Sequence, residues 1–197
     1  MHMSSSKHHL TEFLNSLYPL SSKTEELISQ HSYTITLKKG AFLFKPGMDH
    51  RTLYFLVKGV VRGYRKFKGE EITTWLNEEQ EMITSISNIG LEQECDEYIQ
   101  TLTECELIGI AADMVEFLFA NCPEIPVITK LLLEDNYRGA EERAFISRIP
   151  SAEDKFFRFV EKHPGLINRI PLKYSASYLG MRLETLCRIR SKRILTT

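Results

Sequence analysis

Six polar and charged side chains near the C-terminus have the chemistry of a surface that binds nucleic acid. They are Arg182, Glu184, Thr185, Arg188, Ser191 and Lys192. An arginine can donate two hydrogen bonds to guanine O6 and N7, and a carboxylate can accept one from cytosine N4. Hydroxyls, lysines and further arginines can bind phosphates, which fixes register without reading sequence. The alternative interpretation is an ordinary helical hairpin with a charged exposed face.

The apolar residues around these side chains are spaced as in two short helices that cross closely. Gly180 can turn the chain between the helices, and the small side chain of Ala176 permits a close crossing. This spacing favours a helix-turn-helix centred on Leu172–Arg193. The predicted contact faces are Leu172, Ala176 and Leu179 in the first helix, and Leu183, Leu186 and Ile189 in the second.

Charge is distributed unevenly along the chain. The whole chain carries a net charge of −1. Residues 166–197 hold seven lysines and arginines against one acidic residue, Glu184, and therefore carry +6, which leaves −7 for the rest. A basic tail on an acidic body indicates a polyanionic partner for the tail, with a solvated basic helix as the alternative.

Residues 33–110, which precede the helical part, have the pattern of short antiparallel strands. Apolar or alternating runs such as YTITL and LYFLV are separated by glycines and by Pro46–Gly47, which favours a sandwich or roll. Leu10, Phe13, Leu14 and Leu17 are spaced as in a helix before these strands.

Helices are predicted after the strands. A short helix begins near Ala112, and a longer one runs from the Asn121–Pro126 break to Arg148. We expect the longer helix to pack against the same helix of a second copy in a dimer. The alternative is that it packs against the sheet domain of its own chain. Ser151 then begins a capping box, followed by an aromatic cluster that we expect in the core.

Other classes of protein are disfavoured by what the sequence lacks. No run of 18 apolar residues and no signal-peptide core occur, so we expect a cytoplasmic protein without a membrane partner. The four cysteines form no CxxC pair, so neither a disulfide framework nor a metal site is expected. No His-x-His, Gly-x-Ser-x-Gly, P-loop or HExxH motif is present, so an enzyme is not expected.

Three segments in order resemble the cyclic AMP receptor protein / Fnr (Crp/Fnr) family of transcription regulators. They are KKGAFLFKPGMDHRTLYFLVKGVVRGY, CELIGI and YLGMRLETLCRIRSKRI, and the resemblance extends from about Leu10 to Leu195. It implies an α+β protein: a jelly-roll (double-stranded β-helix) domain like those that bind cyclic nucleotides at 1–122, a dimerisation helix at 123–149, and a winged-helix-like DNA-binding domain at 150–197. It also implies that Glu184 and Arg188 read bases as part of a homodimer on double-stranded DNA, with RNA polymerase and an unknown small-molecule effector as further candidate partners.

The segment at the position of the family's phosphate-binding cassette departs from the family pattern. Thr84 and Ser85 stand where a Gly-Glu pair is usual, and Cys95 and Asp96 where Arg-Ser is usual. No lysine or arginine occurs from Gly69 to Thr129, while Glu92, Glu94, Asp96 and Glu97 crowd the cassette. A buried phosphate without a cation is unfavourable, so cyclic AMP is not expected as a ligand.

Two further departures concern the Fnr branch and the DNA-binding end. No cysteine precedes Cys95, so an iron–sulfur cluster is not expected, and no other cofactor is predicted. Arg182 and Leu183 replace the usual Ser/Thr-Pro cap of the recognition helix, and the sequence ends at Thr197, which predicts a truncated wing. A ligand-sensing or protein-interaction module with a DNA-binding end that has lost its function is therefore the alternative.

Overall fold

Helices flank a two-sheet β domain in the computed structural model, which describes residues 3–48, 51–84 and 96–194. The helices are α1 (Met3–Leu17), α2 (Ser22–His31), α3 (Ala112–Asn121), α4 (Glu124–Arg148), α5 (Ala152–Lys162), α6 (Leu166–Arg169), α7 (Leu172–Tyr178) and α8 (Leu183–Ile194). The strands are β1 (Ser32–Leu37), β2 (Phe42–Phe44), β3 (Thr52–Lys58), β4 (Val61–Phe67), β5 (Glu70–Asn77), β6 (Met82–Ile83), β7 (Tyr98–Thr101) and β8 (Cys105–Ala111).

The strands form two antiparallel four-stranded sheets, in the orders β1-β8-β3-β6 and β2-β7-β4-β5. Their alternating sequences place one side-chain set of each strand between the sheets. The core there includes Leu56, Val61, Ile99 and Leu107, each at most 1% exposed. The predicted sandwich or roll is therefore confirmed, and β5 forms one edge of its sheet.

Gly59 makes the tight connection between β3 and β4. Its φ is +113°, which favours glycine. A Cβ at this position would lie 2.5 Å from Cys105 Sγ and 2.6 Å from Glu104 O. Backbone angle and close packing therefore both require a glycine between these strands.

The N-terminal helices and the first part of α4 cover the other side of the β1-β8-β3-β6 sheet. Phe13 of α1 stacks on Phe55 of β3 at a centroid distance of 5.0 Å. Leu10, Ile28 and Ile128 are buried in the same apolar cluster. The helix predicted before the strands is thus confirmed as α1, a second helix α2 follows it, and the apolar stripes of both face the sheet.

The long helix α4 ends at Arg148, as predicted, and buries only part of its apolar surface within the chain. Ile125, Ile128 and Ile146 are buried, whereas Leu133 is 57% and Tyr137 73% exposed. The middle of α4 therefore presents an apolar surface that no other described residue covers.

The C-terminal helices share one core with an end of the β domain. Phe156, Phe159 and Leu186 are fully buried, and Val60 and Leu76 of the β domain belong to the same apolar cluster. The predicted capping residue is confirmed, since the Ser151 hydroxyl accepts a hydrogen bond from Asp154 N at 3.2 Å. The predicted domain boundaries at 122/123 and 149/150 stay predictions.

Candidate nucleic-acid interface

Helices α7 and α8 form the two crossing helices that the apolar spacing predicts. The chain leaves α7 through Gly180, whose φ is +62°, and Met181 N donates to Ala176 O at 3.0 Å to close the turn. Ala176 is 2% exposed and Leu186 is fully buried, so the crossing is tight. The two helices and their turn thus lie where the sequence indicates.

One residue of the predicted contact faces is misplaced. Leu183 was expected to pack with Leu186 and Ile189, but 40% of its surface is exposed. It occupies the first turn of α8, outside the part of the helix that crosses α7. The prediction of a buried Leu183 is therefore wrong, whereas Leu186 and Ile189 are buried as expected.

Most of the six candidate DNA-binding residues are exposed along α8. Five of them are exposed and Thr185 is half-buried. Glu184, Arg188 and Ser191 are spaced four and three residues apart, which places them on one face of the helix. The Ser191 hydroxyl donates to Cys187 O at 3.0 Å, so this serine is held against its own helix. The exposed members are Arg182, Glu184, Arg188, Ser191 and Lys192.

Two basic residues that contribute to the +6 charge are engaged within the protein instead. Arg190 donates to Asn168 Oδ1 at 3.0 Å. Arg169 donates to Glu79 Oε2 at 2.9 Å and to Glu78 Oε2 at 3.3 Å. The net charge of the segment therefore overstates the charge available to a polyanion.

The edge strand β5 binds α7 through a serine that the sequence reasoning did not single out. The Ser177 hydroxyl accepts from Thr73 N at 2.9 Å and donates to Glu71 O at 3.1 Å. It thereby pairs two outward-facing backbone groups of an open sheet edge. The helix-turn-helix is thus fixed to the β domain at a backbone edge.

A buried arginine joins the same two elements. Arg62 of β4 is 2% exposed, and its guanidinium carbon lies 4.1 Å from the ring centroid of Tyr64 and 3.9 Å from that of Tyr174 on α7. Gln100 Oε1 and Glu71 Oε2 accept hydrogen bonds from the guanidinium. A desolvated cation between two aromatic faces is strongly favourable when its donors are paired.

An ion pair holds the end of α6 on the β domain. Arg169 binds Glu79, and Glu79 also accepts from Gly59 N at 2.7 Å. The hydrogen bond from Arg169 lowers the pKa of Glu79 from 4.5 to about 2. His163 Nδ1 lies 3.1 Å from Glu78 Oε1 beside this pair.

The Arg169–Glu79 pair predicts a loss of stability in acid. Because the folded pKa is depressed, the stabilisation is present above pH 4.5 and is lost as the pH falls towards 2. We expect Arg169→Gln to lower the urea midpoint at pH 7 and to flatten its decline between pH 5 and pH 3. Urea unfolding of both proteins across this range measures the effect, and parallel declines would contradict it.

The interior of the β domain holds a buried carboxylate near the cassette. Trp75 Nε1 donates to Glu97 Oε1 at 2.7 Å, and Glu97 is 4% exposed. Asp96 is exposed and pairs with Arg65 at 3.2 Å. Thr84 is half-buried. The cassette residues Ser85, Glu92, Glu94 and Cys95 lie outside the described residues.

The described ranges contain neither a metal-binding cluster nor a membrane-spanning helix. Within 3–48, 51–84 and 96–194, no group of three His, Cys, Asp or Glu residues is placed to hold a metal ion. In the same ranges, no helix has the length and apolar character needed to cross a membrane.

Comparison with known proteins agrees with the architecture. Residues 34–122 match the family model of the cyclic nucleotide-binding domain. The HTH-type transcriptional regulator ArcR of Staphylococcus epidermidis is 28% identical over 97 residues, which are 49% of this chain and 42% of that protein. ArcR of Staphylococcus aureus is 24% identical over 128 residues, 64% of this chain and 52% of that protein. The matches thus span about half the length of these relatives.

Solved structures share the fold over nearly the whole chain. A transcriptional regulator of the crp/fnr family from Eubacterium rectale superposes with a TM-score of 0.72 at 19% identity, covering 93% of this chain and 88% of that one. The c-di-GMP responsive global regulator CLP of Xanthomonas campestris gives 0.69 at 19% identity, covering 89% and 93%. These relatives and neighbours are named as regulators of transcription or of gene expression. Residues 34–122 thus match the cyclic nucleotide-binding domain, and the chain shares its fold with solved regulators of the Crp/Fnr type.

Proposed function

We propose that this protein is a transcription regulator that reads a palindromic DNA site as a homodimer. The observation that carries the proposal is the exposed face of α8, where Glu184 and Arg188 lie one helical turn apart on a helix packed tightly against α7. In a helix-turn-helix the second helix enters the major groove, where such side chains reach base edges. The names of the relatives and the fold of the neighbours support the same function.

The exposed middle of α4 supports the homodimer. Leu133, Tyr137 and Ala140 follow each other at four- and three-residue steps, and each is exposed. Apolar residues at that spacing form a stripe suited to a second copy of the same helix. A two-fold dimer places its two recognition helices about 34–36 Å apart, or a multiple of that distance.

Selection of genomic DNA by the purified, ligand-free protein at two salt concentrations tests the proposal. Recovery of a palindromic motif with half-sites about 10 base pairs apart is expected. The affinity for DNA should fall steeply as the salt concentration rises, because cationic side chains that bind phosphates release counterions from the DNA. No binding, or sequence-blind binding only, would instead favour a sensing or interaction module that needs an effector or has lost DNA binding.

Replacing Arg188 with alanine tests its role in reading bases. We expect a loss of about 1–3 kcal/mol in binding free energy, with relaxed specificity at one base pair of each half-site. Fluorescence anisotropy on the selected duplex and its single-base variants measures both effects.

Arg190→Ala is the matched control, because it removes the same charge from the same helix at a side chain already bound to Asn168. It should weaken binding less and leave the preferred sequence unchanged. A uniform loss across all sequences for Arg188→Ala would assign that residue to a phosphate.

We further propose that cyclic AMP does not control this regulator. No lysine or arginine occurs between Gly69 and Thr129 to pair with a cyclic phosphate, and Glu97 is a buried carboxylate in the domain that would bind it. Desolvating a phosphate beside carboxylates is unfavourable. Calorimetric titration with cyclic AMP should show no binding, and micromolar affinity would overturn this proposal.

A further inference from the structure

A second basic segment lies in the β domain, far in sequence from the C-terminal helices. Residues 38–68 contain nine lysines and arginines against one acidic residue, Asp49, and therefore carry +8. Two of these cations, Arg62 and Arg65, are bound to acidic side chains of the β domain. Several of the remaining cations are exposed, so the β domain has a basic surface of its own. The exposed lysines include Lys38, Lys39, Lys45, Lys66 and Lys68.

One of these lysines lies on the outer face of the β2-β7-β4-β5 sheet. Tyr64 and Lys66 are two residues apart on β4 and therefore point to the same side of the sheet. Tyr98 of β7 pairs directly with Tyr64, and directly opposite residues share a face. The next residue of β7, Ile99, points the other way into the core between the sheets. The ring of Phe42 on β2 lies 6.4 Å from that of Tyr98 and continues the outer face.

Aromatic rings on this outer face hold two lysines in place. Lys66 Nζ lies 4.7 Å from the ring centroid of Tyr98, and Lys45 Nζ lies 4.9 Å from that of Phe42. The negative face of an aromatic ring attracts a cation, and this contact uses none of the three N–H donors of the ammonium. Lys45 and Lys66 can therefore keep their positions and donate hydrogen bonds to an anion at the same time.

The rings and cations continue from the sheet onto α7. The guanidinium of Arg62 lies between the rings of Tyr64 and Tyr174, and Lys173 Nζ lies 4.8 Å from the ring centroid of Tyr174. Lys173 is exposed in the first turn of α7. In a helix-turn-helix the first helix crosses the DNA backbone, so this end lies where a phosphate is expected. We call the three lysines Lys45, Lys66 and Lys173 the lysine row.

The lysine row and the recognition helix keep a fixed arrangement. Val60 and Leu76 of the β domain share one apolar core with Leu186 of α8. Arg169 also binds Glu79 of the β domain at 2.9 Å. Because a buried core and an ion pair both join the two parts, the lysine row lies at a constant distance from α8.

Duplex DNA suits the lysine row better than a single strand does. Proteins that bind single strands stack bases on accessible aromatic rings. Here the rings of Tyr64 and Tyr98 stack on each other at 4.8 Å, and Tyr64 is 2% exposed. A duplex carries one phosphate charge per about 1.7 Å of its axis, and binding these charges requires cations only. The chemistry of the lysine row is thus that of a contact to the phosphate backbone, which does not read bases.

We propose that the lysine row is a second phosphate-binding surface, which holds the DNA that flanks the half-site bound by α8. The inference rests on the proposed function and extends it. The β domain would contribute directly to DNA affinity while α8 alone selects the sequence. Each protomer supplies its own lysine row, so a dimer would hold the flanking DNA on both sides of a palindrome.

Two duplexes with the same selected palindrome test the lysine row. One ends at the palindrome, and the other has about 10 further base pairs, one helical turn, on each side. The wild type should bind the longer duplex about tenfold more tightly, and Lys45→Gln/Lys66→Gln should bind both equally. On the longer duplex, the slope of log K against log salt should fall by about 3–4, because the dimer loses four phosphate contacts. Lys173→Gln should weaken binding to both duplexes.

Two further variants separate charge from folding and position. Lys45→Arg/Lys66→Arg keeps both cations over their rings and should keep the gain in affinity from the flanking DNA. Lys23→Gln removes an exposed lysine from α2, which packs on the other sheet, and should change neither affinity nor salt slope. The urea midpoint of Lys45→Gln/Lys66→Gln should equal that of the wild type, since both side chains are exposed.

Equal affinity of the wild type for the two duplexes would overturn the proposal, and so would a glutamine variant that keeps the gain. Either result would favour an acidic protein as the partner of this surface. An equal loss for Lys23→Gln would show a general effect of charge instead of a site. If the wild type prefers no palindrome, the proposed function fails by itself. The salt slope on a duplex of mixed sequence then tests the lysine row, and an unchanged slope for the glutamine variant would refute it as well.

Discussion

Replacing Leu133 or Tyr137 with glutamate is expected to make the protein monomeric and to weaken its binding to a palindromic site at least 100-fold. These side chains are 57% and 73% exposed on α4, and in the proposed dimer they pack against their counterparts. A carboxylate buried there without a partner costs several kcal/mol at each of two symmetric positions. A monomer would bind one half-site only and lose the affinity gained from linking two.

Light scattering at micromolar concentration and anisotropy on the selected duplex measure the two effects. Phe67→Glu is the matched control, because Phe67 is also aromatic and 62% exposed but lies at the end of β4. That variant should keep the mass of the dimer. A glutamate variant of α4 that remained dimeric would place the interface elsewhere, whatever its DNA affinity.

Local patterns in the sequence were enough to predict the elements of the helix-turn-helix. The packing of the two short helices depends on a small residue, a turn and two apolar residues. The structure buries Ala176, Leu186 and Ile189 and turns the chain at Gly180, as expected. These interactions are between residues close in the chain, so periodicity reports them directly. Leu183 fits the same periodicity but lies beyond the crossing, a position that periodicity alone does not reveal.

The attachment of α7 to the β domain was not predictable in the same way. An arginine within a strand is expected at the surface, whereas Arg62 is buried because Tyr174, distant in sequence, covers it. The edge of β5 offers backbone groups, which no side-chain pattern marks. Ser177 binds them through a hydroxyl that would equally suit an exposed position. Contacts of this kind depend on tertiary structure and are visible only in it.

The charge of the C-terminal segment shows the same limit. The count of charges predicted that all seven lysines and arginines of residues 166–197 are available to a polyanion. In the structure, however, Arg169 is bound to Glu79 and Arg190 to Asn168. The acidic partner Glu79 follows β5, far from the basic segment in sequence. The excess of acid in the body and of base in the tail thus partly reflects their attachment to each other, as well as the proposed attraction to DNA.

Gly63→Ala is expected to destabilise the β domain by about 3 kcal/mol, as judged from the usual costs of overpacking and of a lost buried hydrogen bond. A Cβ at this position would lie 2.0 Å from Trp75 Cε2 and 2.2 Å from Nε1. Trp75 is 8% exposed, so its ring can move only by displacing the core. Moving it would also break the 2.7 Å hydrogen bond to the buried carboxylate of Glu97.

The single tryptophan of the chain makes this effect directly measurable by fluorescence during urea unfolding. Gly109→Ala is the matched control: its Cβ would meet Tyr33 Cζ at 2.6 Å, but Tyr33 is 42% exposed and its ring can swing outward. It should cost about 1 kcal/mol or less. Equal losses in the free energy of unfolding for the two variants would show that the mobility of the neighbouring ring does not determine the cost. Trp75 would then not be rigidly held between Gly63 and Glu97. A large loss for Gly63→Ala alone, with a shifted emission maximum in the folded state, would establish that Trp75 is held rigidly between Gly63 and Glu97.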